Sequence, residues 1–178
     1  MKHADTRAAR TANAADSVHI ARTARWRRGL RGLAWLGLIL MARPALAVDY
    51  VFPGNLPPGC SGSAGSYNCG SLTLNNGDTL TIAAPKPATI SFSGNFDTQI
   101  SRVNATGAAA DLRLQVSGNM TVRDTAVVNA NIVASMFETT GNGTTITGNV
   151  STTAGMVTLA YRSRITGSVS ASVDAIIG

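Results

Sequence analysis

The sequence predicts an all-β fold, a β-solenoid of 18- to 19-residue coils, and three observations carry that expectation. The hexapeptide Ile146-Thr147-Gly148-Asn149-Val150-Ser151 returns nineteen residues later as Ile165-Thr166-Gly167-Ser168-Val169-Ser170. Eighteen residues earlier stands a looser copy, Val128-Asn129-Ala130-Asn131-Ile132-Val133. In all three, the first and fifth positions are branched aliphatics and the third is Gly or Ala. A period this short is below that of helical-pair repeats and propeller blades, and it suits one coil of a stacked β structure. Coils stacked at strand spacing, roughly 4.8 Å, bury alternate side chains against one another. Val128, Ile132, Ile146, Val150, Ile165 and Val169 are therefore the expected solenoid core. A β-sandwich is the alternative, since many short strands would serve it too, but it has no reason to keep a fixed period.

Residues 1–47 read as an export signal. Arg22, Arg25, Arg27, Arg28 and Arg31 form a basic stretch, residues 33–41 supply an apolar core, and Ala45-Leu46-Ala47 is an A-x-A cleavage motif. The mature chain is expected to begin at Val48. The apolar run is too short for the roughly 20-residue helix that spans a bilayer, so a membrane is met only during export. No Cys stands at the junction to carry a lipid, and no Gly-Phe-type prepilin junction precedes the apolar run. Arg27-Arg28 raises a twin-arginine route, but Trp26 stands where that signal prefers Ser or Thr, which favours general secretion. The basic region is unusually long, which leaves open a start codon downstream of Met1.

Removing the signal rewrites the charge. Residues 1–47 hold nine Lys or Arg and two Asp, a net of +7, whereas residues 48–178 hold six basic and seven acidic groups, a net of −1. The basic isoelectric point of ≈ 10.2 therefore belongs to the targeting segment, and the nucleic-acid partner that a basic chain would suggest is not expected. His3, His19, Trp26 and Trp35 also leave, so the mature chain has neither histidine nor tryptophan.

Residues 48–87 read as a separate N-terminal region. Pro53, Pro57, Pro58, Pro85 and Pro87 discourage interior strands, because proline cannot donate to a ladder. Cys60 and Cys69 bracket an eight-residue Ser/Gly-rich segment, and in an exported chain without nearby histidine they should pair with each other. A redox role would need C-x-x-C spacing, which is missing. Leu72, Leu74, Leu80 and Ile82 alternate with polar residues around Asn75-Asn76-Gly77-Asp78, which reads as a tight corner or hairpin turn.

Residues 88–178 are read as the solenoid repeats, continuing beyond the chain or stopping short of a cap. Phe92-Ser93-Gly94-Asn95-Phe96 and Val116-Ser117-Gly118-Asn119-Met120 match at a spacing of 24, one coil plus a loop of about six residues, for which residues 102–107 are the candidates. Val122 precedes Val128 by six, as Leu159 precedes Ile165. The middle coil breaks step: Thr140 takes that place while Met136 and Phe137 are out of phase, so a bulge is expected there.

The residues that carry chemistry are sparse. Without histidine, Ser/His/Asp and Cys/His mechanisms are excluded and zinc sites lack ligands. Lys86 lies between two prolines with no Ser-x-x-Lys. Asp97, Asp111, Asp124 and Glu138 show no D-x-D or D-x-x-D set, and they read as solvated acids with local pairs such as Arg123 with Asp124. Thr79/Thr81 and Thr145/Thr147 are T-x-T pairs of the ice-binding kind, but the neighbouring copies read Val127/Asn129 and Arg164/Thr166, so the rank is broken. No catalytic residue, cofactor or metal is expected.

The segments Tyr50-Val51-Phe52-Pro53-Gly54-Asn55-Leu56-Pro57-Pro58-Gly59-Cys60, Asn68-Cys69-Gly70-Ser71-Leu72-Thr73-Leu74 and Gly77-Asp78-Thr79-Leu80-Thr81-Ile82 resemble the start of secreted MSHA-pilus biogenesis proteins of the MshQ type. Those proteins are much longer, so the likeness is to an N-terminal piece. It implies adhesion or assembly at the cell surface or pilus, with those components as partners, and supplies no catalytic residues. The coils from Val128 onward are also similar to bactofilins, polymer-forming β-helices, whose cytoplasmic compartment disagrees with an export signal and a disulfide. The expectation is an exported, non-enzymatic structural or adhesion protein of the periplasm, outer surface or medium. The alternatives are a glycan-processing β-helix enzyme and a self-assembling filament subunit that associates through an uncapped solenoid end.

Overall fold

A computed structural model describes residues 46–173 and the strand Ile176–Ile177. The expected export signal, but for Leu46 and Ala47, lies outside the described residues. Alternating apolar and polar residues make strands, and Gly, Asn and Pro interrupt them at corners. In chain order these are β1 (Asp49–Phe52), β2 (Cys60–Ser63), β3 (Ser66–Cys69), β4 (Leu72–Thr73), β5 (Thr79–Ile82) and β6 (Ala88–Phe92). There follow β7 (Phe96–Asp97), β8 (Arg102–Val103), β9 (Leu112–Arg123), β10 (Val127–Asn129), β11 (Asn131–Thr140) and β12 (Thr145–Thr147). The last are β13 (Val150–Thr152), β14 (Val157–Leu159), β15 (Arg164–Thr166), β16 (Val169–Ser170) and β17 (Ile176–Ile177).

The pairing makes a β-solenoid. One sheet stacks β1, β5, β8, β10, β12 and β15 in that order. The other stacks β2, β3, β6, β9, β11, β13 and β16, and a further row of β4, β7, β14 and β17 joins it through β9 and β11. Among the described strands every pairing is parallel except that of β2 with β3. Parallel neighbours one coil apart exclude the sandwich, whose neighbours are antiparallel.

Stacking carries the core in columns. Tyr50, Leu80, Val103, Val128, Ile146 and Ile165 align through the first sheet, and all of them from Leu80 to Ile146 are fully buried. Tyr67, Ile90, Leu114, Ile132, Val150 and Val169 align through the second. Four of the six expected core residues, Val128, Ile132, Ile146 and Val150, are thus interior. The last layer differs. Ile165 is half-buried and Val169 is 42% exposed, because no described coil covers them; Val169 is not a core residue here.

The repeat's third position has a physical reason. Gly148 and Gly167 adopt φ of 128° and 149°, and a Cβ on either would run into a backbone carbonyl of the preceding layer, that of Ala130 or Gly148. Corner amides add a second ladder. Asn131 Oδ1 accepts from Asn149 N at 3.1 Å, and Asn149 Oδ1 accepts from Ser168 N at 2.9 Å.

Several expectations need correcting. Residues 48–87 are not a separate region: β1 and β5 pair within the first sheet, and β3 and β4 pair with β6 and β7, so the solenoid begins at Asp49. Prolines fall between strands, which is why they do not break it. Of the two readings of residues 75–78, the structure takes the corner, between the two sheets, with Gly77 at φ 87°. The extra loop starts after residues 102–103, which are strand β8 with Val103 buried; the insertion is 104–111 and ends in a 3-10 turn at Ala109–Asp111.

The bulge lies where the phase break placed it, between Ala134 and Met136. Because the register slips by one, Thr139 rather than Thr140 aligns with Val122, Phe137 aligns with Met120, and Met136 turns outward. The interior also narrows along the axis. Phe52, Tyr67, Phe92 and Phe96 fill the longer early coils, with Phe92 and Phe96 stacked at 4.4 Å, while Val150 and Val157 suffice in the later ones. Longer coils enclose more volume, and close packing requires larger side chains to fill it.

Candidate functional site

The disulfide lies at the N-terminal end of the solenoid. Cys60 and Cys69 face each other in the β2–β3 register and are joined, with Cα atoms 4.1 Å apart. Ala64 and Gly65, both at positive φ, turn the hairpin. Strand β2 lies on the outer side of β3, so it occupies the edge where a further coil would pair. It is short and polar, features that blunt an edge against other chains. The first sheet is closed on the same side by its own chain, through reciprocal backbone bonds between Val51 and Asn55 of 2.9 and 2.6 Å. A disulfide of this kind fits an oxidising, extracytoplasmic compartment.

The outer face of the second sheet is uncharged along one column: Asn68, Ser91, Gln115, Val133, Ser151 and Ser170. Beside the hairpin this face dips into an open depression of ≈ 400 Å³, lined by Ser61, Asn68, Ser91, Ser93 and Ser117 among others. Its lining offers hydroxyl and amide groups and no ionisable side chain. The surface is suited to hydrogen bonding and holds no acid, base or nucleophile with an activating partner.

The carboxylates are partly gathered by the register. Asp97, Thr121 and Glu138 share one outward column, two layers from end to end, and Thr121 Oγ1 donates to Glu138 at 2.9 Å. Arg123 lies on the same face and grips Asp97, not Asp124 as expected, because side chains two apart on a strand share a face and neighbours do not. Burial pushes the Asp97 carboxyl up, but the Arg123 hydrogen bond, the Gln99 amide and the Arg123 charge together hold it below the ordinary value. An acid held ionised by a guanidinium is a poor proton donor, and Glu138 accepts from the Thr121 hydroxyl with the Arg123 charge on the same face.

The remaining candidates are engaged locally. Asp124 Oδ1 accepts from the Asn142 backbone at a corner, at 3.0 Å. Lys86 donates to Asp111 at 2.8 Å on the surface, and that hydrogen bond lowers the Asp111 carboxyl below its usual value. The stacking of Val127, Thr145 and Arg164 shows that the threonine rank is indeed interrupted. Among the described residues no three His, Cys, Asp or Glu side chains converge in a metal-ligating group, and no helix is long and apolar enough to cross a membrane.

The sequence reading missed one buried acid. Asp78 is fully buried, accepting from Val48 N and Asn75 N, each at 2.7 Å. Its place in an Asn-Asn-Gly-Asp turn suggested a solvent-facing corner or hairpin residue. Comparison with protein-family models, with curated proteins and with solved structures finds no match to this chain.

Proposed function

We propose that this chain is an exported, non-enzymatic scaffold that presents a stiff β-solenoid at the cell surface and serves adhesion or the assembly of surface structures such as pili. The observation that carries the reading is the disulfide-bonded hairpin covering one end of a parallel solenoid. Such a cap needs an oxidising compartment to form and leaves the polar flank of the second sheet, with its depression, free for a partner. The resemblance of residues 50–82 to pilus-biogenesis proteins points the same way. The test is direct: cells that export the chain should carry it beyond the inner membrane with Val48 first, and deleting it should reduce surface attachment or pilus display. A cytoplasmic protein that retains Trp35 would sink the proposal.

A second reading is self-association at the other end. Ile165, Val169 and Val173 are half-buried or exposed in the last described layers, and β15 and β16 have unpaired outer edges among the described strands. The covered N-terminal end disfavours head-to-tail growth and favours a closed pair of chains. Light scattering on the exported protein, with and without Lys at Val173, tests it: a monomer in both cases at high concentration rejects the pair.

A further inference from the structure

We propose that processing at Ala47–Val48 installs the counter-ion of the buried Asp78: the new α-ammonium of Val48 pairs with that carboxylate and locks the first coil. This rests on reading residues 1–47 as a cleaved signal. The geometry is already in place in the uncut chain. Val48 N lies 2.7 Å from Asp78 Oδ1, and the Val48 carbonyl accepts from Thr79 N at 3.0 Å, at the start of the β1–β5 ladder. Leu46 and Ala47, on the other side of the scissile bond, are exposed and open to a peptidase.

Asp78 is a group in need of charge. It is fully buried, and its two oxygens are met by one backbone N–H each, from Val48 and Asn75. Among the described residues the ion pairs are those of Lys86 with Asp111 and Arg123 with Asp97, so no side-chain cation answers Asp78. A buried carboxylate without a counter-ion is costly, and a paired one is far less so. Hydrolysis supplies the cation with nothing but water. The C–N bond breaks, the water oxygen stays on the Ala47 carbonyl carbon as a carboxylate, and both protons of the water end on the Val48 nitrogen, which becomes an ammonium.

The other charged groups near this point lie on the outward face of the same sheet. Asp49 and Arg102 flank Thr79 in one exposed column, and Asp49 Oδ1 accepts from Thr79 Oγ1 at 2.7 Å. Neither shares the interior position of Asp78. The pair would make the cleaved form the one whose first coil is fastened, so that export and final folding are coupled through a single residue.

The exported protein allows a clean reading, because residues 48–178 contain one lysine, Lys86. Reductive methylation with ¹³C-formaldehyde then gives two amine signals, Lys86 and the N-terminus, which can be titrated by NMR. A free α-amine titrates near ~7.7–8.0. The Val48 amine of the folded protein should titrate at least about one unit above its value in urea, a tenfold change in proton affinity. Asp78→Asn should abolish most of that shift, and Asp49→Asn should leave it. Equal values folded and unfolded, or a shift lost with Asp49→Asn, would overturn the pair. Should Asp78→Asn fail to fold, the wild-type shift and its survival in Asp49→Asn still decide. Mass spectrometry of the same sample reports the first residue, so a start other than Val48 rejects the cleavage reading separately.

Discussion

Arg123 grips Asp97 of the preceding layer through Nε, at 2.9 and 2.8 Å from the two carboxylate oxygens, and through Nη2 at 2.7 Å. The pair ties β9 to β7 across one layer on a half-exposed face, the two side chains being 42% and 19% exposed. Exposed pairs contribute modestly, so Arg123→Ala should cost about 0.5–1 kcal/mol at pH 7. The folded Asp97 carboxyl is lowered below its unfolded value, so the stabilisation is full above the unfolded pKa, near ~3.9, and fades as pH falls through the folded one. Urea midpoints of wild type and Arg123→Ala should therefore converge in strong acid. A gap that persists there would show that Arg123 acts by packing alone.

Reduction of the Cys60–Cys69 bond should weaken the N-terminal cap. The bond closes a loop of nine residues in sequence separation, for which the chain-entropy model gives roughly 2–3 kcal/mol. The double variant Cys60→Ser/Cys69→Ser should lower the urea midpoint accordingly and expose the β3 edge. Faster amide exchange at Ser66 to Cys69 than in the oxidised protein would be the local sign. An unchanged midpoint would mean that the hairpin holds its place by its own ladder.

Core and end positions of one column should separate sharply. Ile132→Ala removes a buried side chain stacked between Leu114 and Val150, and should cost about 2–5 kcal/mol. Val169→Ala, in the same column but at the exposed end, should cost less than about 1 kcal/mol in a monomer, because little area leaves contact with neighbours. Equal losses would indicate that Val169 is covered in solution, as the paired-chain reading requires.

Glycine 148 offers a backbone test of the stacking. Alanine there meets both the strained φ and the Ala130 carbonyl, so Gly148→Ala should destabilise by at least about 1–2 kcal/mol. Gly70 has ordinary φ and open space around its Cβ position, so Gly70→Ala should be neutral within about 0.5 kcal/mol. Thermal melts of the two variants compare them directly.

Polysaccharide turnover provides the opposite test. No hydrolysis or elimination is expected on acidic or neutral glycans, because Asp97 is held by Arg123 and, among the described residues, Glu138 is engaged by Thr121 rather than set in a pair of free carboxyls. Turnover abolished by Glu138→Gln would replace the scaffold by an enzyme.

By itself the sequence determined the solenoid, because a stacked coil writes its period into the chain. Val128, Ile146 and Ile165 recur at the spacing at which they pair, and Gly148 and Gly167 recur where only a hydrogen fits. The disulfide was legible for the same local reason, two cysteines and no competing partner. Where coil length varies, the period fades and only tertiary structure decides. Residues 48–78 form the first layer although a hairpin and three prolines hide the repeat, and Thr139 replaces Thr140 because one bulge shifts the ladder by a residue. Charge partners were decided in the same way. Arg123 meets Asp97 and Val48 meets Asp78 across 26 and 30 residues, since in a solenoid the neighbour that matters lies one coil away, not one residue away.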